Sequence, residues 1–355
     1  MRALVATPGA AGTARVADVA DVRAGSGELL LRTLEVGVCG TDREISEGMF
    51  GVAPAESAEL VLGHEFLGVV ERDGHGFAKG DLVTATVRRS CGRCPACLAG
   101  SPDACDTGDY LERGITGLDG FASELVAEDP ANVVAVPASL GRLGVLAEPA
   151  SICARGLRHA RTVGERQPWA PQRALVIGTG AIGMLATFLL RLQGKDVWAA
   201  ARRPAGSSEK GRLIEAVGAR YVSTAETPVA SLAEDVGGFD LVVEATGDAQ
   251  VMLDTLGLLR RNGVACLLGI DGREQSVRLD GRVIGVDAIL QNRAIFGSVN
   301  AARVDWVAAI DQLAAAHARW PDALEACIGL RVPLDRFGEA FAFGGVKATL
   351  QLAEA

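Results

Sequence analysis

The sequence feature that most restricts the fold is a glycine-rich stretch, "RALVIGTGAIGMLATFLLRLQG", at residues 173–194. An apolar run typical of a buried strand leads to Gly178, Gly180 and Gly183, and apolar residues then recur with helical spacing. In a G-x-G-x-x-G turn the first glycine makes the tight bend, the second admits a pyrophosphate, and the third lets the helix pack closely on the strand. The amino terminus of the helix then faces the phosphates. We therefore predict a dinucleotide site here.

Strand and helix patterns alternate beyond this turn, which favours an α/β fold with a doubly wound parallel sheet. A helix is predicted near 210–217, and the predicted strands are "DVWAAAR", "RYVST", "FDLVVEATG", "GVACLLGI" and "AIFGSV".

Two arginines follow the second strand of this pattern, where a fold that binds NAD usually carries an acidic residue for the ribose hydroxyls. The strand ends at Ala201 and continues with Arg202 and Arg203. Guanidinium groups bind a phosphate monoester through charge-assisted, often bidentate hydrogen bonds. The sequence therefore favours NADP over NAD, with use of both cofactors as the alternative.

Four cysteines lie close together in "SCGRCPACLAGSPDACD". In a reducing compartment such clusters bind metal or do redox work more often than they form disulfides. Four thiolates leave tetrahedral zinc no open position, which is typical of a structural site. We call residues 88–108 the cysteine lobe and predict that it holds a structural zinc through Cys91, Cys94, Cys97 and Cys105.

A second group of metal ligands is spread along the chain. Cys39 stands in "GVCGTDREI", His64 and Glu65 in "VLGHEFLGVV", and Glu148 in "VLAEPAS", just ahead of a helical pattern. A catalytic zinc uses about three protein ligands and keeps one position open. Each of these residues alone is a weak signal, and the sequence leaves open whether Glu65 or Glu148 completes the set.

The remaining cysteines, Cys153, Cys266 and Cys327, lie in apolar surroundings and are expected to be small buried hydrophobic residues.

Composition limits the possible partners. The chain has 355 residues, which corresponds to about two domains, and its formal net charge is −9. An acidic chain is a poor partner for nucleic acids or anionic membranes. The first residues do not form a signal peptide, and the longest apolar run is too short to span a bilayer. We therefore expect a cytoplasmic protein without a nucleic-acid or membrane partner.

Taken in chain order, these motifs resemble the zinc-dependent medium-chain dehydrogenase/reductase family over essentially the whole chain. The resemblance implies a GroES-like, β-rich catalytic domain at 1–155, a Rossmann domain at 156–300 and a return to the catalytic domain at 301–355. The segment "VPLDRFGEAFAFGGVKATLQL" resembles the closing part of the family. The resemblance also implies an active cleft between the domains, two zinc ions per chain, and a homodimer or homotetramer.

Within the family the chain is most similar to the glucose (aldose) dehydrogenase branch. The stretches that carry this similarity are "CGTDREI", "RRSCGRCPACLAGSPDACDTGDY", "GFASEL" and "GSVNA". The resemblance implies that Cys39, His64 and either Glu65 or Glu148 hold the catalytic zinc and that Thr41 contacts the reacting hydroxyl and relays its proton. It also implies that Glu112 and Glu148 bind the substrate and that Asn300 lies between substrate and cofactor. The implied cofactor contacts are Gly178, Thr179, Gly180, Ala181, Ile182, Gly183, Arg202, Arg203, Leu268, Gly269, Ile270, Ser298, Val299, Asn300 and Lys347.

Two departures from this branch concern the substrate. Val87 and Ile152 stand where the branch has Asn and Asp. Because an apolar residue cannot hydrogen-bond a hydroxyl, a modified sugar or a cyclitol fits as well as glucose. The expected reaction is the NADP-linked interconversion of an alcohol or cyclic hemiacetal with its carbonyl.

The sequence leaves three alternative functions to compare. A polyol or secondary-alcohol dehydrogenase of the same family is the main alternative. A quinone-reductase-like relative would lack the ligands of a catalytic metal. The presence of Cys39, His64 and Glu148 in this chain therefore opposes that alternative. A nucleic-acid binder built on the cysteine lobe conflicts with the acidic charge and with the glycine motif.

Overall fold

The structure is a computed structural model that describes residues 1–272 and 276–353. The chain folds into two compact units. The first consists of Met1–Ser151, Asn300–Ala314 and the chain from Ile328 onward, and the second of Ile152–Val299 and Ala315–Cys327. Within the described ranges, no helix is both long and apolar enough to cross a bilayer.

The first unit is rich in short strands. Up to the helix that follows Leu146, its strands are β1 Arg2–Ala6, β2 Arg15–Asp18, β3 Leu29–Val38, β4 Leu60–Val61, β5 Glu65–Val70, β6 Leu82–Ala85, β7 Arg88–Arg89, β8 Leu111–Arg113, β9 Gly117–Leu118, β10 Leu125–Glu128 and β11 Val133–Ala135. Its two helices here are α1 Gly40–Ser46 and α2 Pro95–Leu98.

The second unit alternates strands and helices as the sequence predicts. After helix α3 Ala147–Gly164, its elements are β12 Arg173–Ile177, α4 Ala181–Leu192, β13 Asp196–Ala201, α5 Glu209–Ala216, β14 Arg220–Ser223, α6 Val229–Val236, β15 Phe239–Glu244, α7 Ala249–Leu258, β16 Leu259–Leu267 and β17 Ala294–Gly297. The chain ends with α8 Arg303–Arg319, α9 Pro321–Glu325, β18 Ile328–Pro333, α10 Phe337–Ala342 and β19 Lys347–Gln351.

The described residues also form short 3-10 segments and a π-helical segment. The 3-10 segments are Pro102–Ala104, Pro130–Asn132, Ala138–Leu146, Ala205–Ser207 and Leu334–Arg336, and the π-helical segment is Val283–Ala288.

The main sheet of the first unit has the order β11-β6-β5-β3-β19-β18, and β10 also pairs with β3. The long strand β3 is its centre, since it pairs antiparallel with β5, β10 and β19. The same unit also contains two smaller sheets, β2-β1-β4 and β7-β8-β9. The core includes Phe66 stacked on Phe121, with ring centroids 4.6 Å apart.

The sheet of the second unit has the order β14-β13-β12-β15-β16-β17, and every neighbouring pair is parallel. This is the doubly wound order of dinucleotide-binding folds, so the predicted parallel α/β sheet is confirmed. Its core includes Trp198 packed edge-on against Phe239.

The turn between β12 and α4 explains two of the three glycines of the motif. Gly178 has φ +103°, a conformation that other residues rarely adopt. A Cβ on Gly183 would lie 1.9 Å from the carbonyl oxygen of Gly178, so only glycine allows the helix to start so close to the strand.

Candidate metal and cofactor sites

The structure gathers the predicted lobe ligands into one group. One sulfur from each of Cys91, Cys94, Cys97 and Cys105 lies within 4.8 Å of the others. The Cys94 and Cys105 sulfurs are 4.0 Å apart, close to the separation of about 3.8 Å that tetrahedral geometry gives for Zn–S bonds of about 2.3 Å. The donor set therefore fits a four-coordinate zinc.

Hydrogen bonds lower the pKa values of two cysteines of the lobe. A hydrogen bond from Thr107 is the main cause that lowers the pKa of Cys91 to about 5, and Thr107 also lowers the pKa of Cys105. Cys94 caps the short helix α2 and accepts a hydrogen bond from the Cys97 backbone N–H at 3.4 Å. A thiolate is the form that binds metal, so these contacts favour ligation by Cys91 and Cys105. The pKa of Cys97 is raised instead, because a hydrogen bond from Ser90 is outweighed by burial and by the neighbouring Cys94.

The second group forms around the amino terminus of α1. Cys39 is the N-cap of this helix, and its sulfur accepts a hydrogen bond from the Thr41 backbone N–H at 3.2 Å. Cys39 Sγ lies 3.1 Å from Nε2 of His64, which immediately precedes β5. Glu65 is the first residue of β5, and one ligand atom from each of Cys39, His64 and Glu65 lies within 4.8 Å of the others. Sequence motifs 25 residues apart thus meet at one metal-competent group.

Glu65 uses its two carboxylate oxygens differently. Its Oε1 accepts a hydrogen bond from Nζ of Lys347 at 2.6 Å, whereas Oε2 is buried and has no hydrogen-bond partner among the described residues. A buried carboxylate oxygen without a partner is costly. It is therefore available to a cation, which is consistent with a metal held by this group. Its neighbour across the sheet, Gly37, must be glycine, because a Cβ there would lie 1.9 Å from Oε2.

Asp42 supports both Cys39 and His64, a role that we did not predict. Its Oδ2 accepts a hydrogen bond from the Cys39 backbone N–H at 2.9 Å, which completes a capping box. Its Oδ1 lies 3.6 Å from Nδ1 of His64. The sequence carried a signal for this role, since Asp42 stands three residues after Cys39, the spacing of a capping box.

The charges of this buried group perturb each other. Burial opposes the protonated form of His64, but Cys39 and Asp42 together raise the pKa of His64 well above its usual value. Burial also opposes the Asp42 carboxylate, yet its pKa is lowered by the charge of His64. Asp42 Oδ1 and His64 Nδ1 do not form a hydrogen bond at 3.6 Å in the described structure, so Asp42 acts on the histidine through its charge.

Glu148 lies in the first turn of α3 and is buried. Burial raises its pKa to about 7, with a further contribution from the charge of Glu65 and opposing contributions from His64 and Lys347. Glu148 therefore shares the electrostatic environment of the metal-competent group, while the residues whose ligand atoms cluster within 4.8 Å are Cys39, His64 and Glu65.

Lys347 begins β19 and is buried, and its ammonium group also donates to the Val38 carbonyl oxygen at 3.2 Å. Burial opposes its charge, but Glu65 and Cys39 raise the pKa of Lys347. The structure thus places this residue against Glu65. The contact with the cofactor that the resemblance implies stays a prediction.

The predicted substrate residues Glu112 and Asn300 are in contact. Asn300 Nδ2 donates a hydrogen bond to Glu112 Oε1 at 2.8 Å, and both residues are buried to about nine-tenths. Asn300 has φ +60°, an uncommon conformation for a residue other than glycine that often marks a functional site. Thr41, another predicted substrate residue of this unit, is the second residue of α1.

In the second unit the predicted cofactor residues follow the carboxyl ends of the strands. Gly178 to Gly183 follow β12, Arg202 and Arg203 follow β13, Leu268 to Ile270 follow β16, and Ser298 and Val299 follow β17. In an open parallel sheet this edge is where ligands bind. A Cβ on Gly180 would meet nothing within 4 Å, and α4 begins without a side-chain cap, so the first backbone N–H groups of the helix are available to a phosphate.

The two arginines and Ser298 are held in different ways. The side chains of Arg202 and Arg203 are exposed. The backbone at Arg203 is held by the Tyr221 hydroxyl, which donates a hydrogen bond to the Arg203 carbonyl oxygen at 2.7 Å. The buried Arg155 donates to Oγ of Ser298 at 2.5 Å.

Cys153, Cys266 and Cys327 are fully buried, as expected from their surroundings. Burial raises the pKa values of Cys266 and Cys327 to about 12.

A buried Cys/His/Glu group in one unit and a dinucleotide-binding parallel sheet in the other define a zinc-dependent oxidoreductase that uses a nicotinamide cofactor. Comparison with known proteins agrees. The family described as "Alcohol dehydrogenase GroES-like domain" matches residues 25–138, and "Glucose dehydrogenase C-terminus" matches residues 141–352. The chain belongs to the zinc-dependent medium-chain dehydrogenase/reductase family, in its glucose dehydrogenase branch.

Individual relatives cover nearly the whole chain. Glucose 1-dehydrogenase of Methanocella arvoryzae is 45% identical over 96% of this chain and 95% of its own length. Glucose 1-dehydrogenase 1 of Caldivirga maquilingensis is 39% identical over 99% of both chains. The structure of Haloferax mediterranei glucose dehydrogenase in complex with NADP, Zn and gluconolactone is similar with a TM-score of 0.91, at 31% identity over 100% of both chains.

Proposed function

We propose that this enzyme oxidises an aldose at its anomeric hydroxyl to the lactone, with NADP as the hydride acceptor and a catalytic zinc held by Cys39, His64 and Glu65. The observation that carries the proposal is the buried cluster of one ligand atom from each of these three residues. Similarity to the two glucose 1-dehydrogenases over nearly the full chain supports the choice of an aldose.

The two cofactors would supply chemistry that side chains lack. A zinc ion held by Cys39, His64 and Glu65 would supply a Lewis acid for the substrate oxygen. The nicotinamide supplies the hydride acceptor, and the protein orients it. The residues of the chain hold these groups and move the proton.

The proton leaves the substrate through Thr41 in this proposal. Thr41 follows Cys39 by two residues on α1, and its backbone N–H is already bound to the Cys39 sulfur at 3.2 Å. Its side chain is therefore carried by the same short helix as the metal-binding thiolate. A hydroxyl can accept one proton and donate another, so it can relay the proton to the cofactor ribose or to water.

Glu148 has two possible uses within the same reaction. Burial raises the pKa of Glu148 to about 7 in the metal-free protein, so this carboxyl group can donate or accept a proton near neutral pH. As a carboxylate it can also contact the substrate or replace Glu65 as a ligand, since carboxylate oxygens are zinc ligands.

For the cofactor we propose NADP, bound with its pyrophosphate at the amino terminus of α4 and its 2′-phosphate at Arg202 and Arg203. Both arginine side chains are exposed after β13. Because no acidic residue stands among Ala201, Arg202 and Arg203, the phosphate meets positive charge alone at these positions.

We also propose a homodimer, with a dimer of dimers as the larger alternative. Strand β17 is at the edge of the parallel sheet, and Ile295 in it is 39% exposed. An edge strand with free backbone groups can pair with its copy across a twofold axis. Light scattering at micromolar concentration checks this, and a monomer would contradict it.

The test of the proposed reaction is a substrate screen with purified enzyme. Aldoses, deoxy and amino sugars, cyclitols and simple alcohols are each offered with NADP and with NAD, and reduced nicotinamide is followed by its absorbance. Modified sugars belong in the screen because Val87 and Ile152 are apolar.

We expect turnover of glucose or a related aldose with NADP and its loss in Cys39→Ser. Cys327→Ala serves as the matched control, because in the described part of the chain this buried cysteine donates to the Ala323 carbonyl oxygen and contacts none of the proposed site residues through hydrogen bonds. Turnover of simple alcohols but of no sugar would refute the proposed substrate class.

A further inference from the structure

The cysteine lobe and the proposed substrate residues are joined by one buried arginine. Arg88 belongs to β7, at the start of the lobe, and its side chain is 5% exposed. Its Nε donates to Glu112 Oε1 at 3.0 Å, and its Nη2 lies 3.0 Å from the same oxygen. Strand pairing explains the contact, since Arg88 is the antiparallel partner of Glu112 in the sheet of β7 and β8.

The remaining guanidinium nitrogen reaches back into the lobe. Arg88 Nη1 donates to the backbone carbonyl oxygen of Asp103 at 3.0 Å and approaches that of Pro102 at 3.4 Å. These two residues form the 3-10 turn directly before Cys105, a predicted zinc ligand. The guanidinium plane also lies over the Tyr110 ring, 3.7 Å from its centroid. Arg88 is thus held on three sides.

Glu112 is left with one free oxygen. Arg88 and Asn300 both donate to Oε1. Glu112 Oε2 has no hydrogen-bond partner among the described residues. This oxygen is not fully buried, so it is open to solvent, in a side chain that is 12% exposed. A carboxylate with one oxygen held by two donors presents its other oxygen in a defined direction. Such an oxygen is an acceptor for the hydroxyl of a polyhydroxylated ligand.

We infer that Arg88 is a positioning residue that couples the cysteine lobe to Glu112, so that an intact, metal-loaded lobe sets the affinity of the enzyme for its sugar. This inference rests on the proposed function, because it takes Glu112 as a substrate contact. The lobe then does more than stabilise the fold. Distortion of the turn at Pro102 and Asp103 is transmitted through a rigid, planar guanidinium to the oxygen that accepts the sugar hydroxyl.

Neighbouring Arg89 provides a matched control. It belongs to the same two-residue strand and is also paired with a buried glutamate, Glu128, but Glu128 keeps a second partner in Arg113 at 3.0 Å. Arg89→Lys therefore alters a similar ion pair that does not involve Glu112.

The experiment compares Arg88→Lys, Arg88→Met, Glu112→Gln and Arg89→Lys. Steady-state kinetics give KM and kcat for glucose, and calorimetry gives the affinity for glucose in the presence of NADPH, where no turnover occurs. We expect Arg88→Met to raise the KM and Kd for glucose about ten- to a hundredfold, because a displaced Glu112 carboxylate loses its own charge-assisted hydrogen bond to the sugar, with a smaller change for Arg88→Lys. The KM for NADP and the parameters of Arg89→Lys should stay near wild type. If Arg88→Met does not fold, Arg88→Lys carries the comparison.

A double-mutant cycle tests the coupling to the lobe. Cys105→Ser should release a zinc ion and raise the KM for glucose, and Arg88→Lys combined with Cys105→Ser should be no worse than Cys105→Ser alone, because both act through the same contact. Additive effects would overturn the coupling. Wild-type affinity for glucose in Arg88→Met, or in Arg88→Lys if the former does not fold, would overturn the inference while leaving the proposed function intact. A wild-type enzyme that neither binds nor oxidises an aldose would overturn both.

Discussion

Lys347 and Glu65 form an ion pair of 2.6 Å in which each side chain is only 2% exposed. The pair joins the first residue of β19 to the first residue of β5, two strands that both pair with β3. Lys347 neutralises one oxygen of the carboxylate, and the other, without a hydrogen-bond partner, is the atom available to a metal ion. One glutamate thereby connects the end of the chain to the proposed catalytic zinc.

The first prediction concerns this pair. Lys347→Met should lower the free energy of unfolding by about 3–5 kcal/mol, because it leaves a buried carboxylate without its partner. The loss should be smaller in zinc-loaded protein, where the metal compensates the charge of Glu65. Urea denaturation with and without zinc measures both values. The double variant Lys347→Met with Glu65→Gln is the control, and it should recover part of the loss.

The second prediction separates the two metal groups. Purified enzyme should contain two zinc ions per chain by metal analysis. Cys94→Ala should lose one ion and much of its thermal stability, since a structural zinc contributes directly to folding. Cys39→Ala should lose the other ion and the activity but keep its fold. Unchanged thermal stability in Cys94→Ala would contradict a structural role for the lobe.

The third prediction concerns pH and Glu148 in metal-free protein. The pKa of Glu148 is about 7 in the folded protein, whereas an unperturbed glutamate has a pKa of 4.5. Between pH 4.5 and about pH 7 the folded state therefore keeps a proton that the unfolded state has released. This contribution to stability is fully present below about pH 4.5 and is lost as the pH rises through about 7, at a cost of up to about 3 kcal/mol.

The variant Glu148→Gln checks this assignment, because it has no carboxyl group to titrate. Thermal melts of metal-free wild type and variant should diverge as the pH rises, with the wild type falling below the variant. Parallel curves from pH 4.5 to 8 would show that burial does not perturb Glu148.

The fourth prediction concerns the cofactor. Replacing both Arg202 and Arg203 by Ala should raise the KM for NADP about ten- to a hundredfold, the effect of losing a charge-assisted hydrogen bond to the phosphate. The KM for NAD should change little. Adding Ala201→Asp should then favour NAD by accepting the ribose hydroxyls and repelling the phosphate. Equal losses with both cofactors would show that the arginines serve the structure.

The fifth prediction uses the cysteines as reporters. In native metal-free protein a thiol reagent at neutral pH should modify Cys91 rapidly, because its pKa is lowered to about 5. Cys266 and Cys327, whose pKa values burial raises to about 12, should react only after unfolding. Mass spectrometry of labelled peptides identifies the sites. Zinc should protect Cys91, and labelling that zinc does not slow would contradict ligation in the lobe.

Features that depend on neighbouring residues can be predicted from the sequence. The glycine spacing predicts the turn from β12 to α4, because the clash at Gly183 and the positive φ of Gly178 arise within six residues. The cysteine spacing predicts the lobe for the same reason, since its four sulfurs are carried by one short loop. Alternating apolar patterns predict the parallel sheet, although several strands end one to three residues earlier than their apolar runs.

Which distant side chains meet depends on the three-dimensional fold. Sequence left Glu65 and Glu148 as equal candidates beside Cys39 and His64, and the pairing of β3 with β5 brings Glu65 into the cluster. Lys347 reaches Glu65 across 282 residues, and Asn300 reaches Glu112 across 188. These contacts depend on strand order and register, which are set by the burial of whole sheet faces and not by the propensities of the residues concerned.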